Sequence, residues 1–119
     1  MSKKIYQKLR HSHEFKNVYI KGQRSVTKNF ILQSAKPKNL INVNNKIRLG
    51  FIVTKRIGNA VVRNRIRRRL KIVALEVIIK KGLPNRDYVL IGKKDSYNCP
   101  YNELLQNVNY ALKSINCLK

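Results

Sequence analysis

Acidic residues are the scarce component of this sequence. Of 119 residues only 5 are Asp or Glu, against 27 Lys or Arg, a formal net charge of +22. Like charges in such excess repel one another and add nothing to fold stability, so the compensating anions must come from outside the chain. A polyanion that releases counterions on binding fits first, and an anionic membrane surface second. Between Glu14 and Glu76 lie 61 residues with 16 cations and no carboxylate. Those cations face water, the few distant acids, or a partner.

Other absences narrow the class. No apolar run approaches the roughly 18 residues of a membrane span. The basic start MSKKIYQKLR lacks the apolar segment that follows in a signal peptide. A cytoplasmic protein is expected. Two cysteines, Cys99 and Cys117, read as small apolar fillers on a terminal helix in a reducing compartment. There is no repeat and no low-complexity block. Catalytic apparatus is lacking too. The carboxylates Glu14, Glu76, Asp87, Asp95 and Glu103 are scattered, and His11 and His13 have no third metal ligand nearby. No serine lies in a G-x-S-x-G context, and Gly92-Lys93-Lys94 lacks P-loop spacing. Neither catalytic residues nor a metal site of the protein's own is expected.

What is present suffices for one domain. An apolar fraction of 43% over 119 residues can build an ordinary core. Residues 1–119 read as a single domain, with 1–9 as a flexible basic N-terminus. Ser12 is the expected N-cap of a first helix that places Phe15, Val18 and Tyr19 on one face and stops at Gly22. Residues 24–35 read as extended with a break near Lys28-Asn29, then Phe30–Ala35 as a strand. Pro37–Asn45 is a loop, and Ile47–Thr54 the strongest strand. Asn59 caps a long helix from about Ala60 to Lys80, closed by Gly82-Leu83-Pro84. Tyr88–Gly92 is a buried strand, and Pro100 opens a last helix with the stripe Leu104, Leu105, Val108, Ala111, Leu112 and Ile115. The order α-β-β-β-α-β-α makes an α+β fold: a mixed central sheet of about four strands with helices packed on one face.

The long helix carries the charge. Lys55 to Lys71 holds eight cations and no anion. The seam Val62, Ile66, Leu70, Val73 and Val77 faces a core. Asn64, Arg68 and Lys71 lie opposite, Arg63 and Arg67 flank one edge, and Arg65 and Arg69 the other. Ordinary solvated helices interleave both signs; this one does not. Arginine's planar fork donates two hydrogen bonds to a phosphate, and the helix start near Asn59 adds backbone donors. A membrane surface would want exposed Trp or Phe beside the arginines, and neither is there. Ile72, Leu75 and Ile79 lie off the seam, which calls for cover from the last helix or a neighbouring chain. A second constellation, Phe15, Tyr19 and Phe30, either stacks bases beside cations or simply fills the core.

The stretch Lys55-Arg56-Ile57-Gly58-Asn59-Ala60-Val61-Val62-Arg63-Asn64-Arg65-Ile66-Arg67-Arg68 resembles the signature of the bacterial ribonuclease P protein component. Arg48–Val53 is similar to the strand leading into it, Phe15–Gly22 to that family's first helix, and Asp87–Ile91 to its last strand. The resemblance spans about residues 5–115. It implies a left-handed crossover through the basic helix and a catalytic RNA partner, the ribonuclease P RNA. It also implies removal of the 5′ leader from precursor tRNA with Mg²⁺ held by the RNA. On this resemblance Lys55, Arg56, Asn59, Arg63, Asn64, Arg65, Arg67 and Arg68 contact RNA, while Phe15, Tyr19 and Phe30 hold the single-stranded leader. Gln33 stands where some relatives carry an aromatic. The alternative is a structural RNA-binding protein such as a small ribosomal protein; no obligate protein partner and no membrane are expected.

Overall fold

A computed structural model describes residues 6–38 and 46–119. Its elements are β1 (Tyr6–Lys8), α1 (Ser12–Lys21), β2 (Gln23–Val26), β3 (Phe30–Ala35), β4 (Ile47–Ile52), α2 (Ala60–Lys81), β5 (Arg86–Gly92) and α3 (Tyr101–Ser114). Short 3-10 turns over Lys55–Ile57 and Lys94–Tyr97 precede α2 and α3. The sheet has five strands in the order β1-β4-β5-β3-β2. β1 and β5 both pair parallel with β4, while β3 is antiparallel to β5 and to β2. β4, α2 and β5 thus form a crossover between adjacent parallel strands.

Three expectations change. Residues 6–8 are not a flexible tail but an edge strand, with Tyr6 opposite Ile47 and Lys8 opposite Leu49. Three residues are too short a run to show period-2 alternation; parallel pairing with β4 selects the conformation. Residues 1–5 lie outside the described residues, as do 39–45 of the expected Pro37–Asn45 loop. The helices do not share one face. The main core, with Leu32, Leu49, Tyr88 and Leu90 of the sheet, lies under α2 and α3. Leu9, Val18, Ala35 and Val89 form a separate cluster on the α1 side. Third, His11 rather than Ser12 occupies the N-cap of α1. Glu14 reaches back to accept from the backbone N–H of His11 (3.0 Å) and Arg10 (2.9 Å), which satisfies donors that a helix start leaves without partners.

α2 follows its sequence logic closely. The Asn59 side chain accepts from the N–H of Val62 at 3.0 Å, and Gly82 ends the helix. Ile66, Leu70, Val73 and Val77 are buried as the seam requires, joined by Ala74 and Ile78, while Val62 packs half-buried beside them. Each fully buried Val, Leu or Ile among them stabilises the fold by about 1.5–3 kcal/mol. Leu75 and Ile79 also pack partly against this core, and α3 lies along α2; Ile72 stays 56% exposed. Cys99 and Cys117 are buried and not joined in a disulfide, and they flank α3 rather than lying on it.

Candidate nucleic-acid interface

The arginines of α2 fall into two groups. On one edge, Arg65 donates from Nε to the carbonyl of Tyr97 (3.0 Å), and its guanidinium carbon lies 4.9 Å from the centre of the Tyr97 ring. Arg69 donates to the carbonyl of Ser96 (2.7 Å) and to that of Cys99. Arg69 therefore fastens the turn before α3 to the basic helix, and Arg65 is partly committed to the same task. On the other edge, Arg63 donates to the carbonyl of Gly58 at 3.1 Å, which braces the turn into α2. Asn64 and Arg68 are exposed, and Arg67 donates to the Asn64 side chain at 2.8 Å. Lys55, Arg56 and Asn59 are exposed around the turn.

The exposed side of α2 does not stand alone. A groove of about 270 Å³ is lined by Arg67, Arg68 and Lys71 together with Tyr6, Lys8, Leu9, Phe15, Leu49, Gly50 and Phe51. It opens where β1 ends. The Leu9 N–H makes the last bond to β4, at the carbonyl of Leu49 (2.9 Å), so Gly50 and Phe51 lie beyond the cover of β1. Gly50 is what admits the aromatic wall. A Cβ there would lie 2.5 Å from Cε1 and 2.8 Å from Cζ of Phe15, so the Phe15 ring rests on bare backbone. One wall is an aromatic ring and the other a row of cations, the pairing that holds single-stranded nucleic acid.

The expected aromatic set separates. Phe15 lines the groove, and Tyr19, one turn further along α1, is 69% exposed. Phe30 does not belong with them. It has no exposed surface and lies in the main core, on the opposite side of the sheet from Phe15. The reason is register. Phe30 shares the side-chain direction of Leu32, toward α2 and α3, whereas Gln33 and Ala35 point the other way. Gln33 is buried.

Beneath α1 an ion cluster fixes this geometry. Arg48 donates to Asp87 through Nε (2.6 Å) and Nη2 (2.7 Å), and to Glu14 through Nη1 (2.6 Å). Hydrogen bonding to Asp87 raises the Arg48 pKa despite burial, with Glu14 adding to it. Burial by itself would raise the Glu14 carboxyl. The backbone donors of His11 and Arg10 and the charge of Arg48 outweigh that, and its pKa lies below the ordinary value. The first helix, which carries Phe15, is thus bolted to β4 and β5.

The comparisons decide the family. The family model described as Ribonuclease P matches residues 3–116. The chain belongs to the ribonuclease P protein family. It is 39% identical over 89 residues to the ribonuclease P protein component of Paramagnetospirillum magneticum, covering 75% of this chain and 67% of that one. It is 31% identical to that of Bacillus pumilus, covering 89% and 85%. Among solved structures, the RNase P protein from Staphylococcus aureus superposes with a TM-score of 0.75 at 21% identity, covering 94% of this chain and 97% of that one. The RNase P protein from Thermotoga maritima gives 0.71 at 18%, covering 87% and 93%; both likenesses speak to the fold.

The family resemblance implies Mg²⁺, and the described residues offer it no good cage. Magnesium wants oxygen ligands at octahedral geometry. Glu14 and Asp87 are spent on Arg48. Asp95 and Glu103 come together with Cys99, a soft sulfur donor, and both carboxylates accept from Nδ2 of Asn29 at 2.6 Å. Sequence reasoning missed Tyr6, Lys8 and Leu9, read as tail, and Gly50 and Phe51, read only as strand. A glycine inside the strongest strand was the one signal available, since it marks a close approach.

Proposed function

We propose that the groove holds the 5′ leader of precursor tRNA while the outer face of α2 docks on the ribonuclease P RNA. Family membership makes the chain the RNA-binding subunit of a ribonucleoprotein endoribonuclease that matures the 5′ ends of tRNA. It sets aside the ribosomal alternative. One observation carries the reading of the site: Phe15 and the cations Arg67, Arg68 and Lys71 wall the same groove. Bases stack on the ring, phosphates meet the arginines, and the chain need do no chemistry. Asn64, exposed on the outer face, with Lys55, Arg56 and Asn59 at the turn, supplies contacts to the RNA subunit; Arg68, exposed but also lining the groove, stands between the two surfaces and serves both. Arg63 and Arg65 hold the outer surface in shape while leaving nitrogen donors for the RNA. Tyr19 extends the stacking surface at the rim. Magnesium sits on the RNA and substrate. No described helix is long and apolar enough to cross a membrane, and the α2 seam is already buried, so α2 has no free apolar seam for a bilayer.

Reconstitution tests this. With a bacterial ribonuclease P RNA and precursor tRNA at low magnesium, the chain should accelerate cleavage over RNA alone, and equal rates would sink the reading. Phe15→Ala should weaken binding of precursor relative to mature tRNA. Salt should weaken the complex steeply: about 6–10 phosphate contacts lose roughly a thousandfold or more between 50 and 200 mM.

A further inference from the structure

We propose that a second, cationic trough along β1 continues the groove and carries leader nucleotides beyond the Phe15 site; this rests on the leader reading above. The trough, about 500 Å³, is lined by Tyr6, Lys8, Arg10, His11 and Lys46 over a floor of Glu14 and Arg48. Tyr6 and Lys8 line both it and the Phe15 groove. The two cavities therefore meet along β1, and a strand leaving Phe15 enters the trough without leaving the protein surface.

The charge fits a phosphodiester chain. Lys8, Arg10 and Lys46 are exposed. The ion pairs among the described residues involve only Lys28 and Arg48, so these three cations are uncommitted. Glu14 faces them and is partly offset where it stands, by Arg48 and by two backbone N–H groups. Arg48 also serves Asp87, so three free cations face one uncompensated carboxylate charge. Tyr6 is the trough's only tyrosine or phenylalanine, half-buried at the junction. Recognition there is by phosphate and indifferent to base sequence.

The test uses the reconstituted holoenzyme and precursor tRNAs whose leaders grow from a few nucleotides, enough for the groove alone, to roughly three times that. The variant is Arg10→Ala/Lys46→Ala, two exposed positions outside the groove, with its thermal midpoint checked against wild type. Wild-type affinity should rise as the leader lengthens, and the variant should lose that gain while binding the short-leader substrate normally. On the long leader, the slope of log affinity against log salt should become shallower by about 1.4, or 0.7 for each single-strand phosphate that the variant no longer neutralises. A flat length series in the wild type overturns the proposal. So does an equal loss by the variant on short leader, long leader and mature tRNA, which would assign the trough to the RNA subunit. Phe15→Ala on the short leader separates the two claims: if it leaves the preference for precursor over mature tRNA intact, the groove reading itself fails.

Discussion

Gly50→Ala is the most informative single substitution, because it should damage the site and spare the fold. Gly50 lies in β4, and no described glycine sits in the left-handed region that excludes a side chain, so alanine is compatible with the backbone. The new methyl would lie 2.5 Å from Phe15 Cε1 and 3.0 Å from Leu9 Cδ1. Both are ends of side chains, so the Phe15 ring swings outward, at about 0.5–1.5 kcal/mol for an off-rotamer torsion. Alanine recovers about 0.4–1 kcal/mol by restricting the unfolded chain. The two nearly cancel, and the melting temperature should move by no more than a few degrees. Leader binding has no such offset. A base loses its stacking surface, worth about 1–3 kcal/mol, or roughly fivefold to a hundredfold in affinity. The assay is holoenzyme affinity for precursor and mature tRNA, by gel shift or fluorescence anisotropy, in a cycle with Phe15→Ala. Once the ring is gone the clash is gone, so the double variant should bind precursor about as Phe15→Ala does. If Gly50→Ala folds normally and binds precursor like wild type, or if the two losses simply add, the ring does not act from that groove wall.

The arginines of α2 should behave as two classes. Arg69→Met leaves the carbonyls of Ser96 and Cys99 without their donor and should cost roughly 1–3 kcal/mol in denaturant unfolding, with little change in the salt slope of RNA binding. Arg68→Ala, exposed, should do the reverse: an unchanged midpoint and a salt slope shallower by about one. Arg48→Ala strands Asp87, whose side chain is 1% exposed, and should destabilise by roughly 3–5 kcal/mol in urea titrations; a loss under about 1 kcal/mol would mean the cluster does not anchor α1. The Glu14 pKa is lower in the fold than in the unfolded chain. Its stabilisation is therefore complete above the unfolded carboxylate value, about 4.3, and is lost as pH falls through the depressed folded value. Midpoints measured from about pH 6 to about pH 2.5 should fall less steeply in Glu14→Gln than in wild type over that acid window.

Elements with long periodic signals were legible, and those set by pairing were not. The seam from Ile66 to Val77, the Asn59 cap and the stop at Gly82 all follow from local chemistry that an isolated stretch of sequence displays. β1 could not be read, because three residues become a strand only when Ile47, Arg48 and Leu49 are beside them. The basic face was legible as a charge pattern, but its division was not. Arg65 and Arg68 are three residues apart and chemically alike. One meets the carbonyl of Tyr97, 32 positions along the chain, and the other meets solvent. Phe30 was misassigned for the same reason. An aromatic at the start of a strand can face either side, and register with Gly92 and Ile91 of β5 settles which.

The scarcity of acids explains why the surface works. Each of the five carboxylates accepts a hydrogen bond within the fold: Glu14 and Asp87 from Arg48, Asp95 and Glu103 from Asn29, Glu76 from the hydroxyl of Tyr101. Glu14 and Glu103 thereby tie a helix to a strand or turn, Asp87, Asp95 and Glu76 link further elements to one another, and none of the five lines the Phe15 groove. The positive field over β1 and α2 is consequently not cancelled locally, which speeds encounter with a polyanion and leaves the free protein straining against its own charge. Added salt should then act with opposite signs on the two processes. It relieves self-repulsion in the isolated chain and raises its unfolding midpoint, while it removes the counterion-release gain that holds the RNA. A protein whose acids lay on the surface beside its arginines would show neither effect at full strength.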